Sequence, residues 1–279
     1  VVRFPMNPLA PVAQKWIADH QFQSGKFAEA EQGYRRLFEN TNLLANASAM
    51  QWEARLSAGR SAFFRQEHAA AELLLASVVN TTNAPVAELA RAEFYLGDVA
   101  ADQTGRTPTN LLDALTHYQR VANEMPNSPL NPLAWGRMGD CYLQLGYLDS
   151  AAEAYSTVTN LPTADVTTRS QAGLGLARVF DEQAKAAAET AEREKLLQRS
   201  LDQSMEIVFG GNLRSAKEKM DPFWVKEAGL LAGRLAKRLG RADQERRVYE
   251  RLASELPGIP LWQAKVDALQ VKQEAPKKP

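Results

Sequence analysis

This sequence predicts an all-α fold, and three observations carry the prediction. Strand signals are nearly absent, because β-branched residues are scattered and no stretch alternates apolar with polar residues. A pattern of small and large residues recurs in tandem through nearly the whole chain. The segment between Gly175 and Gly210 contains neither glycine nor proline and is rich in alanine and glutamate, the strongest helix formers.

The unit is clearest in "AWGRMGDCYLQLGYLDSAAEAY", residues 134–155. It carries a glycine slot (Gly139), an aromatic (Tyr142), a turn glycine (Gly146), then Ala151, Tyr155 and Val158. The glycine slot recurs as Ala18, Gly59, Gly97, Gly175 and Gly233. A glycine within a helix costs roughly 0.5–1 kcal/mol relative to alanine, so its recurrence predicts close packing, which we read as an approach of two backbones. Gly146 ends the first helix of its pair. Gly136 fits no slot.

In chain order, the second helix of the first unit carries Ala30, Tyr34 and Leu37, and that of the second carries Ala71, Leu75 and Val78. The third has Ala114, Tyr118, Val121 and then Pro126. The fifth has Ser200, Ser204 and Ile207, a poor match, and the sixth has Glu245, Tyr249, Leu252 and Pro257. These spacings resemble the tetratricopeptide repeat, a helix–turn–helix of about 34 residues. The resemblance implies a right-handed α-solenoid of about six units, near 11–44, 52–85, 90–128, 132–165, 168–211 and 226–258. In the fifth unit two overlong helices, turning near 187–193, are expected to project beyond the stack. A capping helix is expected over 259–270, with Trp262, Val266 and Leu269 on one face. Residues 1–10 read as an extended lead-in and 271–279 as a flexible tail. The chain opens on valine, which reads as a processed or excised chain.

Lys+Arg and Asp+Glu both number 33, so the net charge is zero and the basic footprint of a nucleic-acid binder is missing. No apolar run approaches the ~20 residues of a membrane span. The single cysteine, Cys141, excludes an internal disulfide framework and a cysteine-rich zinc site. His20, His68 and His117 fall in different units at different repeat positions, which argues against a shared metal. "SGK" at 24–26 lacks the frame of a phosphate-binding loop. "NAS" (46–48) and "NTT" (80–82) match the glycosylation sequon at the level chance allows. No catalytic residue, metal ligand or cofactor is predicted, and the chain reads as a non-enzyme.

What the resemblance implies is a binding surface lined by the first helices. Family positions assign to it Lys15, Asp19, Phe22, Arg60, Phe63, Phe64, Arg91, Phe94, Asp98, Asp140, Leu143 and Arg234. Phe63 and Phe64 are either anchors for a partner or packing between units. A carboxylate clamp, as in chaperone-binding members, matches at Lys15 but meets Asp19 and Ser57 in place of its two asparagines and Tyr95 in place of its arginine. The expected function is a scaffold that holds a partner protein or peptide in the groove, within a multi-protein complex in one version. The alternatives are a structural subunit of a bacterial envelope complex or the helical, non-catalytic part of an enzyme assembly. Phrases such as "LGD" and "MPNSP" resemble bacterial envelope repeat proteins of the outer-membrane assembly lipoprotein and Tol–Pal accessory type, which tilts the expected location to the periplasm.

Overall fold

Helices account for all the regular structure in the described residues, which are 7–40, 50–103 and 107–274 of a computed structural model. The sequon at 46–48, residues 1–6 of the lead-in and residues 275–279 of the tail lie outside them. Among the described residues thirteen α-helices follow in order: α1 (Ala10–Gln23), α2 (Phe27–Glu39), α3 (Met50–Phe64), α4 (His68–Val79), α5 (Val86–Asp102), α6 (Pro108–Gln119), α7 (Asn131–Leu145), α8 (Leu148–Asn160), α9 (Val166–Ala186), α10 (Thr190–Phe209), α11 (Pro222–Arg238), α12 (Ala242–Glu255) and α13 (Pro260–Glu274). The chain divides into two units, Val1–Ala134 and Trp135–Pro279. Within each, consecutive helices pack as antiparallel pairs in a solenoid order.

Local chemistry sets the helix boundaries. Thr107, Asp165 and Asp221 cap α6, α9 and α11, each accepting a backbone N–H of the first turn, and Pro108 and Pro222 occupy first positions that need no N–H. The turn after α7 requires φ +78° at Gly146. The matching turn after α3 holds Gln66 at φ 64°, which a side chain rarely adopts. Helix α6 continues into one π-helical turn, Arg120–Glu124. The buried amide of Asn131 donates to the carbonyl of Ala122 at 2.7 Å, satisfying a group the turn leaves open.

In the first unit the core holds Tyr34, Leu37, Leu56, Leu75, Val78, Leu96 and Val99 among alanines 18, 30, 54, 58, 62 and 71. In the second, one cluster gathers Tyr155, Val158, Leu176, Val179 and Phe180, and another runs from Leu174 and Leu201 through Leu235 to Trp262. Burying one such side chain contributes roughly 1.5–3 kcal/mol.

Side chains, rather than backbones, occupy the small-residue slots. A Cβ added at Gly139 would stand 2.6 Å from the Tyr155 ring, at Gly97 2.5 Å from Tyr118, and at Gly59 2.7 Å from Leu75. These corrections to the expected backbone crossing have one cause: the glycine leaves a flat recess that a second-helix ring or leucine fills. Gly175 presses on Tyr155 too, so that one ring lies between glycines of two successive first helices. Where the slot holds Ala18, relief comes from the other helix: a Cβ at Gly33 would sit 2.9 Å from the Ala18 Cβ. A Cβ at Gly136 would meet nothing within 4 Å.

The fifth pair fits better than its sequence pattern. Ser200 and Ser204 are fully buried, and the Ser200 hydroxyl donates to the Ala177 carbonyl at 2.6 Å. Helices α9 and α10 are 21 and 20 residues long and turn at 187–189, with residues 188–195 exposed. The loop after α10 is tied to α9 by the buried Arg169, which bonds Glu218 at 2.6 Å and the Asn212 carbonyl. Helix α13 covers the last pair, with Trp262 and Val266 buried and Trp262 stacked on Tyr249 at 6.4 Å.

Candidate functional site

The first helices of the Val1–Ala134 unit, α1, α3 and α5, share one face. At one place on it, Lys15 of α1 bonds Asp19 at 2.8 Å and reaches Glu53 of α3 at 3.2 Å. Partial burial would lower the Lys15 pKa, but the two carboxylates outweigh it and hold the ammonium charged. Asp19 also accepts the Tyr34 hydroxyl at 2.8 Å, and burial followed by that carboxylate pushes the Tyr34 pKa far up. Lys15, the one residue that matched a carboxylate clamp, is thereby committed to two carboxylates of its own chain.

Further along the face, the Arg60 guanidinium lies 5.1 Å from the ring centroids of both Phe22 on α1 and Tyr95 on α5. Such contacts contribute ~0.5–1 kcal/mol at exposed sites. Phe22 belongs to a cluster of four phenylalanines: it meets Phe27 at 5.3 Å and Phe64 at 5.5 Å, Phe27 stacks on Phe64 at 5.1 Å, and Phe63 meets Phe64 at 5.8 Å. Phe64 remains 48% exposed, whereas Phe63 is half-buried against the core. Beyond Tyr95, a mostly apolar cavity of about 530 Å³ is lined by Val86, Ala87, Arg91 and Tyr95 of α5 and by Glu124–Leu130, the segment that leaves the π-helical turn. Arg91 there pairs with Glu88 at 3.2 Å.

The other expected groove residues are placed differently. Phe94 is buried at 6% exposure and packs edge-on against Tyr118 at 5.6 Å, so it belongs to the core. One residue further round the helix, Tyr95 takes the place expected of it. Asp98 accepts the Tyr118 hydroxyl at 2.7 Å and Asp140 the Tyr155 hydroxyl at 2.6 Å, which makes them partners of the slot tyrosines. Burial pushes the Asp140 pKa up against the opposing effect of that hydrogen bond. In the Trp135–Pro279 unit, Leu143 packs half-buried beside Tyr155, and Arg234 is exposed. The sequence reading does not assign Phe27, Tyr95 or the Met125–Leu130 wall to the binding surface. Their signal, aromatic and proline residues next to the assigned positions, is legible only once the helix rotations are known.

Catalytic geometry does not emerge among the described residues. No group of three or more His, Cys, Asp or Glu stands close enough to hold a metal ion. His68 faces Asp102 at 3.4 Å, His117 faces Glu93 at 2.6 Å, and His20 stacks on Trp16. Cys141 is buried. No described helix is long and apolar enough to cross a membrane.

No protein-family model matches the chain, and no curated protein matches it. Among solved structures it is similar to that of pilF from Pseudomonas aeruginosa, at 14% identity over 94% of this chain and 97% of that one, with a TM-score of 0.56. It also aligns with a tetratricopeptide repeat protein from Parabacteroides merdae at 10% identity over 93% and 98% of the two chains, with a TM-score of 0.44. Paired helices stacked in order, with a tyrosine or an aliphatic side chain of the second helix seated on a small residue of the first, define a helical-repeat protein of the tetratricopeptide fold.

Proposed function

We propose that this protein is an interaction scaffold that binds an extended segment of a partner protein on the α1–α3–α5 face. The supporting observation is the cluster of Phe22, Phe27, Phe63 and Phe64, which leaves Phe64 half-exposed beside the Arg60 guanidinium. Exposed aromatic and arginine side chains grouped together are the residue types that anchor protein interfaces. The acids of the same face serve the fold, since Asp19 and Asp98 each accept a tyrosine hydroxyl. The wording shared with envelope repeat proteins makes a bacterial envelope protein the first partner to try.

Affinity capture from a bacterial envelope extract, followed by mass spectrometry, compares the native protein with a Phe22→Ala, Phe64→Ala variant whose helicity is verified by circular dichroism. The reading expects a stoichiometric partner that the variant loses. Partners captured equally by both proteins would place the binding surface elsewhere.

A further inference from the structure

We infer that the segment recognised on this face carries an acidic side chain between two apolar ones, in the pattern apolar-x-acidic-x-apolar. The inference rests on the binding reading above and adds the chemistry of the partner. Its ground is a difference among the charges of the face. Lys15 is held by Asp19 and Glu53, Arg91 by Glu88, and Asp98 by a tyrosine hydroxyl. Arg60 alone in this set has neither ion pair nor hydrogen bond among the described residues; it lies against the two rings and close enough to Tyr34 to oppose the rise of that phenol's pKa. A guanidinium flanked by aromatic rings keeps N–H donors that suit bidentate pairing with a carboxylate.

Apolar surface lies on both sides of that cation. On the Phe22 side it is the phenylalanine cluster, and on the Tyr95 side it is the cavity walled by Val86, Met125, Pro126 and Leu130. Phe22 and Tyr95 thus connect the cation to the ring cluster and to the cavity. An extended chain advances about 3.3 Å per residue and turns alternate side chains to one face, so residues i, i+2 and i+4 present three side chains over about 13 Å. The acidic group then meets Arg60 while one apolar neighbour packs on the half-exposed Phe64 ring and the other enters the cavity. The free-standing cation favours an acidic segment over a basic one.

A random dodecapeptide phage library panned on the intact protein tests this. The expected result is enrichment of peptides with Asp or Glu flanked at two-residue spacing by Leu, Ile, Phe or Met. A synthetic version of the most enriched peptide should bind Arg60→Gln at least tenfold more weakly in fluorescence anisotropy. Changing its acid to the amide should weaken native binding and erase the difference between native and Arg60→Gln. Phe64→Ala should weaken binding while the acid remains required, which a merely unfolded variant would not show. Enrichment of basic or purely apolar peptides, or equal affinity for native and Arg60→Gln, overturns the inference while leaving a binding face intact. No enrichment above an unrelated helical protein overturns both readings.

Discussion

Tyr155 donates its hydroxyl to Asp140 at 2.6 Å while its ring covers Gly139, the residue that precedes Asp140. The same arrangement joins Tyr118 to Gly97 and Asp98, and the Tyr34 hydroxyl likewise bonds Asp19, the residue that follows Ala18. The three tyrosine slots paired with an aspartate are those whose small residue is followed by Asp. Gly59 is followed by Arg60 and receives Leu75 in place of tyrosine, and no hydroxyl needs an acceptor there. Small residue, acid and tyrosine form one packing module, and the acid is part of the fold before it can be part of any site.

Removing the Tyr155 hydroxyl should therefore cost stability without altering shape. Tyr155→Phe leaves the half-buried Asp140 carboxylate without that donor, at a cost of ~0.5–1.5 kcal/mol in urea unfolding. Because that hydrogen bond opposes the upward effect of burial, the Asp140 pKa should rise further in the variant. A carboxyl with a raised folded pKa adds stability that is complete below its unfolded value and is lost as pH rises through the folded one. The variant's deficit should accordingly shrink toward acid. A deficit independent of pH would mean that Asp140 finds another donor.

Two glycines three residues apart should respond in opposite directions. Gly139→Ala drives a methyl into the Tyr155 ring and should cost ~1–3 kcal/mol. Gly136→Ala enters open space within α7 and should gain about 0.5–1 kcal/mol from helix propensity. Thermal melts of the two single variants decide this, and equal shifts would refute the packing described.

Neighbouring phenylalanines should separate in the same way. Phe94→Ala empties a core position and should cost ~3–5 kcal/mol. Phe64→Ala, half-exposed and held by ring contacts, should cost only about 1 kcal/mol. Chemical denaturation compares them directly, and a larger loss at Phe64 would retire it as an anchor.

Glu93 should contribute an acid-labile part of the stability. Burial would raise its pKa, but hydrogen bonds from His117 at 2.6 Å and Arg120 at 2.8 Å prevail and hold it below the ordinary value of 4.5. A depressed carboxyl stabilises fully above its unfolded pKa, and the contribution disappears as pH falls through the folded one. Glu93→Gln should flatten stability against pH below about 4.5, the ordinary value for this group. An unchanged acid limb would show that the network holds equally well with the amide.

Loss of the capping tryptophan should be felt locally. Trp262→Ala removes the ring stacked on Tyr249 and should cost ~3–5 kcal/mol in the last pair. Hydrogen exchange should accelerate across α12 and α13 and stay native in α1 to α5. Uniform acceleration would indicate that the whole chain opens together.

The sequence by itself determined the helices, the order of their pairing, the small-residue slots and the cap. Each of these follows from propensity, turn chemistry or spacing along one dimension, as with the Gly146 turn and the Trp262 face. The tertiary structure alone decided what fills each slot and which side chains remain at the surface. It seated Tyr155 between Gly139 and Gly175, relieved Ala18 through Gly33, buried Phe94 while leaving Tyr95 to hold Arg60, and joined Phe27 to a cluster assigned only to Phe22, Phe63 and Phe64. The physical reason is rotation. Adjacent helical residues point about 100° apart, so a small turn of α5 exchanges Phe94 for Tyr95 at the surface. That turn is set by volumes on neighbouring helices, which no single helix carries in its own pattern.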